Sequence, residues 1–447
     1  MSVIVSDRRT LVVGLGKTGL SCVRYLCKQG RDVAVADNRM NPPGLDELKH
    51  SWPDVPLHLG DFDADLFIGF NELIVSPGLD INEPVFQAAA ERGVRISGDI
   101  DLFSLAAKAP IVAITGSNGK TTVTSLVGDM AKAAGKRVAV GGNIGTPALD
   151  LLADDVELYV LELSSFQLET TEELGAEAAT ILNVSDDHMD RYPSKMAYFQ
   201  AKQRIFNGGK QAIVNLDDPL STPMIRDNLR FLCFGWHRIN PETFSTREDE
   251  DGTWITFGFD NLVRVEDLGL MGAHNVSNVM AALTLGHAVG LPMNAMLDAT
   301  RAFRGLPHRC EYVRRLAQVD YINDSKGTNV GATVAAIKSL APAQGKILLI
   351  AGGDGKGANF GPMARPVREH CRNVVLIGKD ADRMAEVLKD LCQVHRAASL
   401  DEAVRQAADL AQPGDRVLLS PACASLDMFH DYQHRGARFV ELVEALL

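Results

Sequence analysis

The apolar residues of the chain lie in short runs that alternate with stretches of helical periodicity. In the first hundred residues the apolar runs occupy residues 10–13, 33–36, 72–75 and 94–96, and the helical stretches occupy residues 18–29 and 84–91. Short apolar runs predict buried strands, whereas an apolar repeat of three to four residues predicts helices. Strands that alternate with helices in this way predict a parallel, Rossmann-like sheet.

The same alternation returns in two later sections of the chain. Apolar runs occupy residues 111–114, 137–140 and 158–162, and then residues 321–323, 347–350, 374–377 and 417–419. Between these sections, residues 236–270 are polar and strand-like, with a hairpin turn predicted at residues 247–252. A chain of 447 residues is too long for one core. We therefore predict an α/β protein of three domains, residues 1–98, 99–305 and 306–447, in which Rossmann-like domains flank a central ATPase-type domain.

The bulk composition is typical of a globular protein and excludes several classes. A net charge of −12, from 45 basic and 57 acidic residues, argues against a nucleic-acid-binding protein. No apolar run approaches the roughly 20 residues needed to cross a bilayer, and nothing at the N-terminus resembles a signal peptide. The seven cysteines are scattered without a C-x-x-C pair, so neither a zinc site nor a disulfide framework is predicted. We expect a cytoplasmic monomer that does not insert into membranes.

The candidate chemistry begins in the loop that follows residues 111–114. Within IVAITGSNGKTT, this loop and the helix start supply Gly116, Ser117, Asn118, Gly119, Lys120, Thr121 and Thr122. A strand that passes through glycines into a helix N-terminus directs backbone N–H groups and the helix dipole at one point, which suits phosphate. Lys120 adds a charge for the outer phosphates, and Thr121 offers a hydroxyl to Mg²⁺. The usual G-x-x-x-x-G-K-[ST] spacing would need glycine where this chain has Ile114, but the flanking strand and helix favour ATP binding over a plain turn.

A second glycine-rich turn lies near the N-terminus. Gly14, Gly16 and Gly19 fit G-x-G-x-x-G, and Asp37 ends the next strand. This fingerprint is typical of dinucleotide sites, so an NAD-dependent dehydrogenase is one interpretation. A UDP-linked group would use the same phosphate cradle, which is the other interpretation. The turn at residues 76–78 also follows a strand, where it is either part of this site or a plain turn.

Several polar residues follow the strands of the second section. Glu162 ends a strand that should finish beside the phosphate loop, so it is a candidate Mg²⁺ ligand. Residues 183–190 are dense in oxygen and imidazole groups, and the next helix, opened by Ser194, carries Lys202. These could equally be a helix-capping loop and a surface lysine. Asn275 and Asn278 lie one helical turn apart and suit a nucleotide or a loop contact.

Taken together, the motifs resemble the Mur ligase family, the ATP-dependent amino-acid ligases of peptidoglycan precursor assembly. The resemblance rests on the Glu162 strand, the Lys202 helix with QAKQRIF, and on ITGSNGKTT (114–122), NVSDDHMDR (183–191), GAHNVSN (272–278), LPHR (306–309), NDSKGTN (323–329) and AGGDGK (351–356). It spans all three sections in the family's order. VVGLGKTG near the start, the DNR at residues 37–39 and SPACASLD near the end are most similar to the branch that adds D-glutamate to UDP-N-acetylmuramoyl-L-alanine.

The resemblance implies a set of binding residues. UDP would be held by Gly14, Leu15, Asp37, Asn38, Arg39, Ser76, Pro77, Gly78 and Asn143. ATP would be held by residues 116–122, with Asn143, Asn275, Asn278, Arg309 and Asp324 around the nucleotide. D-glutamate would be held by His188, Thr328, Lys356, Ser425, Leu426 and Tyr432. The catalytic residues it implies are Lys120, His188, Lys202 and Lys326.

The resemblance also implies cofactors and a reaction. Thr121 and Glu162 would bind one Mg²⁺, and His188 and Lys202 a second, with Mn²⁺ as a substitute. Because an ammonium cannot bind a cation, Lys202 would be carbamylated by CO₂. The reaction would proceed through an acyl phosphate and a tetrahedral intermediate, with domain closure about residues 305–307.

A folylpolyglutamate synthetase, which lacks the full N-terminal domain, is the nearest alternative to this assignment. A dehydrogenase or a non-enzymatic ATP switch is more distant.

Overall fold

The computed structural model describes residues 9–185, 187–189, 191–224, 228–238, 240–270, 272–342 and 344–446. Within these residues the chain forms three mostly parallel sheets of five, nine and six strands, each packed against helices. The predicted α/β architecture is confirmed. Each apolar run named above coincides with a strand, although further strands occur where no run was predicted. The sheets follow one another along the sequence without exchanging strands.

The first sheet is wholly parallel and has the order β3-β2-β1-β4-β5. Its strands are β1 (Arg9–Val13), β2 (Asp32–Asp37), β3 (Leu57–Leu59), β4 (Glu72–Val75) and β5 (Arg95–Ser97). The helices of this section are α1 (Lys17–Lys28), α2 (Leu45–Ser51), α3 (Ala64–Ile68), α4 (Pro84–Glu91) and α5 (Asp99–Ala106).

The central sheet has the order β14-β13-β12-β11-β10-β9-β6-β8-β7. Its strands are β6 (Ile111–Thr115), β7 (Val138–Gly142), β8 (Leu158–Glu162), β9 (Ala178–Ile181), β10 (Gln211–Asn215), β11 (Arg230–Gly235), β12 (Thr243–Asp249), β13 (Gly252–Phe257) and β14 (Asp260–Arg264). The helices are α6 (Lys120–Ala133), α7 (Ser165–Glu169), α8 (Lys195–Gln203), α9 (Ala273–Ala288) and α10 (Met293–Ala302). The predicted hairpin is present between the antiparallel strands β12 and β13, although β12 continues to Asp249.

The third sheet has the order β15-β16-β20-β17-β18-β19, with only β15 antiparallel to its neighbour. Its strands are β15 (Glu311–Leu316), β16 (Val319–Asn323), β17 (Ile347–Gly352), β18 (Cys371–Ile377), β19 (Gln393–Arg396) and β20 (Arg416–Leu419). The helices are α11 (Val330–Ser339), α12 (Ala364–His370), α13 (Ala381–Leu388), α14 (Leu400–Leu410) and α15 (Tyr432–Glu444).

The cores join the first two sections of the chain. One cluster of buried apolar side chains runs from Val12 and Leu26 in the first section to Val214 in the central one. α5 lies between them, where the Phe103 ring meets the Tyr159 ring edge-on at 5.0 Å. This shared core fixes the first sheet beside the central sheet, while the boundaries at residues 98 and 305 stay predictions. No described helix is long and apolar enough to cross a membrane.

Candidate functional site

The loop between β6 and α6 has the backbone of an anion cradle. Gly119 has a φ of +85°, in the left-handed region, and immediately precedes α6. A Cβ at Gly119 would lie 2.4 Å from Asn278 Oδ1, and a Cβ at Gly116 would lie 3.0 Å from Leu182 Cβ. Only glycine fits both positions, since a side chain would be strained and would meet the packed neighbours. The N-terminus of α6 therefore faces the loop with N–H groups unobstructed by side chains.

Asn183 braces this loop from the end of β9. Its side chain accepts a hydrogen bond from Asn118 N at 2.9 Å and donates one to Asn118 O at 3.0 Å. Its own carbonyl accepts from Ser117 N at 2.9 Å. The sequence places Asn183 among ligand-rich residues but does not predict this bracing. One side-chain amide thus holds both the N–H and the C=O of Asn118, so the loop is braced before any ligand binds.

Lys120 lies folded over the loop that it follows. Its Nζ donates to Gly116 O at 2.8 Å and to Ser117 O at 3.0 Å. Burial lowers the pKa of this ammonium, and the nearby carboxylates of Glu162 and Asp187 oppose that shift. Two neutral carbonyl oxygens satisfy the charge only in part, so a bound phosphate would be a stronger partner.

Glu162, at the end of β8, presents a free carboxylate oxygen beside the loop. Oε1 accepts from Asn143 Nδ2 at 2.8 Å. Oε2 is buried and has no hydrogen-bond partner among the described residues. An unpaired buried carboxylate oxygen is costly, and a cation would satisfy it. The residues therefore fit a Mg²⁺ ion, whose remaining ligands would be Thr121 and phosphate oxygens. In the described part of the chain no three His, Cys, Asp or Glu side chains cluster as a metal site of their own.

Lys202 lies beneath the phosphate loop rather than on the surface. It is 1% exposed, and its Nζ lies 3.2 Å from Gly116 O, 3.4 Å from Thr115 Oγ1 and 4.3 Å from the centre of the Tyr198 ring. Burial, and then the charge of Lys120, lower its pKa well below the ordinary value. Both effects favour the neutral, nucleophilic amine over the ammonium. The interpretation of Lys202 as a surface lysine is wrong.

His188 lies on the loop after β9 with a φ of +56°. Its ring packs edge-on against Phe166 at 4.8 Å, and Nε2 lies 3.9 Å from Asp187 Oδ2. Of the ligand-rich residues 183–190, Asp186 and Asp190 lie outside the described residues.

One cavity of about 1230 Å³ brings together predicted residues from several of the motifs. It lies where the central and third sections meet. The predicted residues that line it are Ser117, Asn118, Gly119, Lys120, Thr121, Asn143, Glu162, His188, Arg309, Lys326, Thr328, Lys356 and Tyr432. Residues from two domains thus face one space, large enough for several substrates at once.

A smaller cavity of about 370 Å³ opens beside the loop. The predicted ATP residues that line it are Asn118, Gly119, Thr122, Asn275, Asn278, Arg309 and Asp324. Asn278 Nδ2 donates to Asn275 Oδ1 at 3.1 Å, so the two amides contact each other. Arg309 also reaches across the domains to donate to Thr121 Oγ1 at 2.5 Å. Because both cavities share the loop, a nucleotide could place its base in the smaller and its phosphates in the larger.

On the third section's side of the cavity, Lys326 stands over the Tyr432 ring at 3.8 Å. Burial lowers the pKa of Lys326 to about 8. Ser425 is buried and Leu426 is 70% exposed, and neither is among the described residues that line the two cavities. Lys356 has a φ of +48°, held by its N–H donating to Asp354 Oδ1 at 2.9 Å.

The predicted UDP residues of the first section form a separate patch. A Cβ at Gly14, which has a φ of +97°, would lie 2.8 Å from Ser76 Cβ, so the two glycine turns pack together. Asp37 accepts from Leu15 N at 2.7 Å and from Arg39 Nε and Nη2 at 2.8 and 2.7 Å. In a dinucleotide site this carboxylate would accept from a ribose hydroxyl. Here it orients Arg39 instead. None of the residues of this patch lines either cavity, as far as the described residues show.

Arg435 is a residue of the site region that the sequence analysis missed. It is 1% exposed and donates to Ser325 O at 2.8 Å, Ser325 Oγ at 3.0 Å and Cys423 O at 3.3 Å. Through these hydrogen bonds it holds the segment that contains Lys326 beside the segment that contains Ser425. An arginine amid the apolar positions of α15 was the available signal, because a buried charge must be held by acceptors.

Three family models match the chain in sequence. They are the MurD-like N-terminal domain of Mur ligases over residues 8–98, the Mur ligase middle domain over residues 114–286, and the Mur ligase glutamate ligase domain over residues 308–423. Together they cover all three sheets.

Curated proteins and solved structures agree with these models. A UDP-N-acetylmuramoylalanine–D-glutamate ligase from Marinobacter nauticus is 71% identical over the full length of both chains, and one from Pseudomonas aeruginosa is 57% identical over the same extent. A pseudomurein peptide ligase type C from Methanothermus fervidus shares the fold, with a TM-score of 0.63 at 18% identity over 98% of this chain and 99% of its own. UDP-N-acetylmuramate-alanine ligase from Thermotoga maritima aligns with a TM-score of 0.59 at 20% identity over 98% of this chain and all of its own.

Proposed function

Because the chain belongs to the Mur ligase family, as its motifs predicted, we propose that it joins D-glutamate to UDP-N-acetylmuramoyl-L-alanine at the expense of ATP, in peptidoglycan precursor synthesis. The observation that carries the proposal is the large cavity, where the phosphate loop and Glu162 face Lys326, Thr328 and Lys356 of another domain. Such a site can activate a carboxylate and present it to an amine. The full-length relatives with this activity support the choice of substrates.

The chemistry follows from the low reactivity of a carboxylate in water. The alanyl carboxylate attacks the γ-phosphorus of ATP, which forms an acyl phosphate and releases ADP. Lys120 and the loop N–H groups stabilise the charge on the transferring phosphoryl group. The D-glutamate amine, having lost a proton, then attacks the carbonyl carbon. The resulting tetrahedral intermediate expels phosphate and leaves the amide.

We assign two Mg²⁺ sites to the cavity. Thr121 and Glu162 would hold one ion, and His188 with Lys202 the other, with Mn²⁺ as a substitute. The ions would offset the repulsion between the anionic substrates. Burial favours the neutral form of the Lys202 amine, which is the form that would react with CO₂ to give a carbamate with two ligand oxygens. Its position under the loop supports this assignment.

Glu162→Gln is expected to raise the Mg²⁺ concentration for half-maximal activity by about tenfold or more, because an amide is a much weaker magnesium ligand than a carboxylate. The bond from Asn143 to Oε1 can persist in the variant, so the fold should be retained. Titration of phosphate release against Mg²⁺ measures the effect. Glu157→Gln, a change at a half-buried residue just before β8, is the control and should leave the Mg²⁺ dependence unaltered. An unchanged dependence in Glu162→Gln would remove Glu162 from the metal site.

The outer parts of the substrates would extend from this centre. The UDP group would lie on the first-section patch, where the half-exposed Arg39 guanidinium, fixed by Asp37, offers charge to a diphosphate. The two carboxylates of D-glutamate would be bound by Lys356, Thr328, Ser425, the Leu426 backbone and His188, with Tyr432 beside them.

The family model over residues 8–98 removes the folylpolyglutamate synthetase alternative, and the orientation of Asp37 argues against a dehydrogenase. We further propose that the protein works in the cytoplasm as a monomer.

The deciding assay measures phosphate release from ATP with UDP-N-acetylmuramoyl-L-alanine and one of four amino acids. We expect release to depend on D-glutamate, with L-glutamate, L-lysine and meso-diaminopimelate inactive, and the product mass to increase by one glutamyl residue. Release that is equally fast with L-glutamate, or that needs no amino acid, would overturn the proposal.

A further inference from the structure

We infer that Asn329 is a positioning residue that couples the docking of the C-terminal domain to the conformation of the phosphate loop. Asn329 is the residue before α11, and it faces the central domain. Its Nδ2 donates to Asn118 Oδ1 at 3.3 Å and to Asp187 Oδ2 at 3.1 Å. The inference rests on the proposed function for its meaning in catalysis, but not for its geometry.

The side chain of Asn329 uses both of its polar ends. Oδ1 accepts from Ala332 N at 2.8 Å and so caps α11. The amide therefore fixes its own helix with one end and spans two loops of the other domain with the other. An asparagine supplies one acceptor and two donors in a plane, which is the set that these contacts need.

The two loops that Asn329 contacts are those of the proposed ATP and metal sites. Asn118 lies in the phosphate loop, and the Asn183 side chain already binds its backbone N–H and C=O. The Asp187 side chain also accepts from His188 N at 3.0 Å, so its position influences that of His188. A single amide of the third domain thus contacts both the cradle for phosphate and the segment that carries a proposed metal ligand.

The neighbours of Asn329 link it to the amino-acid site. Thr328 precedes it and Lys326 lies three residues before, and both line the large cavity. On its other side, a Cβ at Gly331 would lie 2.9 Å from Ser185 Oγ, so the first turn of α11 docks closely on the central domain. A ligand that shifts Thr328 would therefore shift the contact with Asn118, and D-glutamate and ATP should each favour the binding of the other.

Two substitutions separate this coupling from simple helix capping. Asn329→Ser and Asn329→Asp both keep an oxygen that can cap α11. Both lose the two donated hydrogen bonds, and Asn329→Asp adds a charge facing the Asp187 carboxylate. If capping were the whole role, the two variants would match the wild-type protein.

The test compares the full-length wild-type protein with the two variants. Asn71→Asp is the control, because its exposed Oδ1 only accepts from Arg9 N, far from the cavity. The first measurement is backbone hydrogen exchange of residues 115–122 and 183–189 in the protein without ligand. The second is the Kd of ADP. The third is steady-state kinetics, in which the KM of ATP and of D-glutamate is determined separately from kcat. We expect faster exchange in both segments and a Kd for ADP weakened by about tenfold in Asn329→Asp, with a smaller change in Asn329→Ser. The KM of D-glutamate should rise although the residue makes no proposed contact with it.

A rescue makes the inference specific. In the double variant Asp187→Asn with Asn329→Asp, the side chain at 187 becomes the donor and the one at 329 the acceptor, so the hydrogen bond between them is restored. Protection from hydrogen exchange and ADP affinity should therefore recover relative to Asn329→Asp alone. Exchange and ADP affinity in Asn329→Asp equal to those of Asn71→Asp would overturn the inference, as would a double variant no better than the single one. Because exchange and ADP binding need no turnover, they decide the inference even if the D-glutamate assay fails.

Discussion

Replacing Lys120 with alanine is expected to lower kcat by about a thousandfold, with a much smaller change in the KM of UDP-N-acetylmuramoyl-L-alanine. Lys120 is buried over the phosphate loop, and among the described residues its Nζ donates to the carbonyls of Gly116 and Ser117. In the reaction it would exchange these for phosphate oxygens that gain charge in the transition state. A donor aimed at developing charge in a site shielded from water contributes a factor of about 10² to 10³, and its positive charge adds to that.

The measurement is the steady-state rate of phosphate release under saturating substrates. Lys132→Ala is the matched control, since Lys132 lies in the last turn of α6 and is exposed beside Asp129. The control should retain the wild-type rate within about twofold, because surface ion pairs contribute little. A Lys120→Ala enzyme with near-normal kcat would exclude this lysine from phosphoryl transfer.

Replacing Lys202 with either alanine or arginine is expected to reduce kcat by about a thousandfold or more. The arginine variant keeps a cation but cannot form a carbamate, so its failure would distinguish a ligand role from a charge role. The position is fully buried between Tyr198 and the phosphate loop, where an uncompensated ammonium would be costly. Conversion to a carbamate bound to a cation removes that cost.

Two measurements check this prediction. Protein equilibrated with ¹³C-bicarbonate should give a carbamate signal in the ¹³C NMR spectrum that is absent from Lys202→Ala. Lys210→Ala, an exposed change at the start of the following strand, is the activity control and should retain the wild-type rate. Full activity of Lys202→Arg, or a spectrum without carbamate in an active wild-type protein, would contradict the assignment.

The apolar runs were sufficient to predict the architecture. Runs such as residues 111–114 and 347–350 are long and uninterrupted because parallel strands are buried on both faces. β3 was not predicted, since Leu57–Leu59 is too short to show a period. β10 and β11 were also missed. Gln211–Asn215 and Arg230–Gly235 begin with polar residues and hold apolar runs of only three and four residues, and their pairing in the middle of the sheet is a tertiary effect.

The candidate site was predicted as separate motifs, but not as a set of contacts. Arg309 and Thr121 are 188 residues apart and meet only because the third sheet docks beside the phosphate loop. Asn329 and Asn118 are 211 residues apart for the same reason. Local spacing carries no information on such contacts. Asp37 is a second example. Its position at the end of β2 suggests a ribose ligand, whereas Leu15 and Arg39 occupy both of its carboxylate oxygens.

The lowered pKa values of Lys202 and Lys326 could not be predicted from the sequence for a different reason. Their pKa values depend on burial, and burial depends on α8 and the third sheet being packed against the loop. The motif identified Lys202 as important, but only the fold gives a physical reason why the pKa of its amine is lowered.

The most direct test of the central claim follows the oxygen atoms of the alanyl carboxylate. UDP-N-acetylmuramoyl-L-alanine labelled with ¹⁸O in that carboxylate is incubated with ATP, Mg²⁺, D-glutamate and the enzyme, and the released phosphate is analysed by mass spectrometry. Activation as an acyl phosphate predicts one ¹⁸O atom in each phosphate released, with the other retained in the new amide. Phosphate free of ¹⁸O would contradict the account.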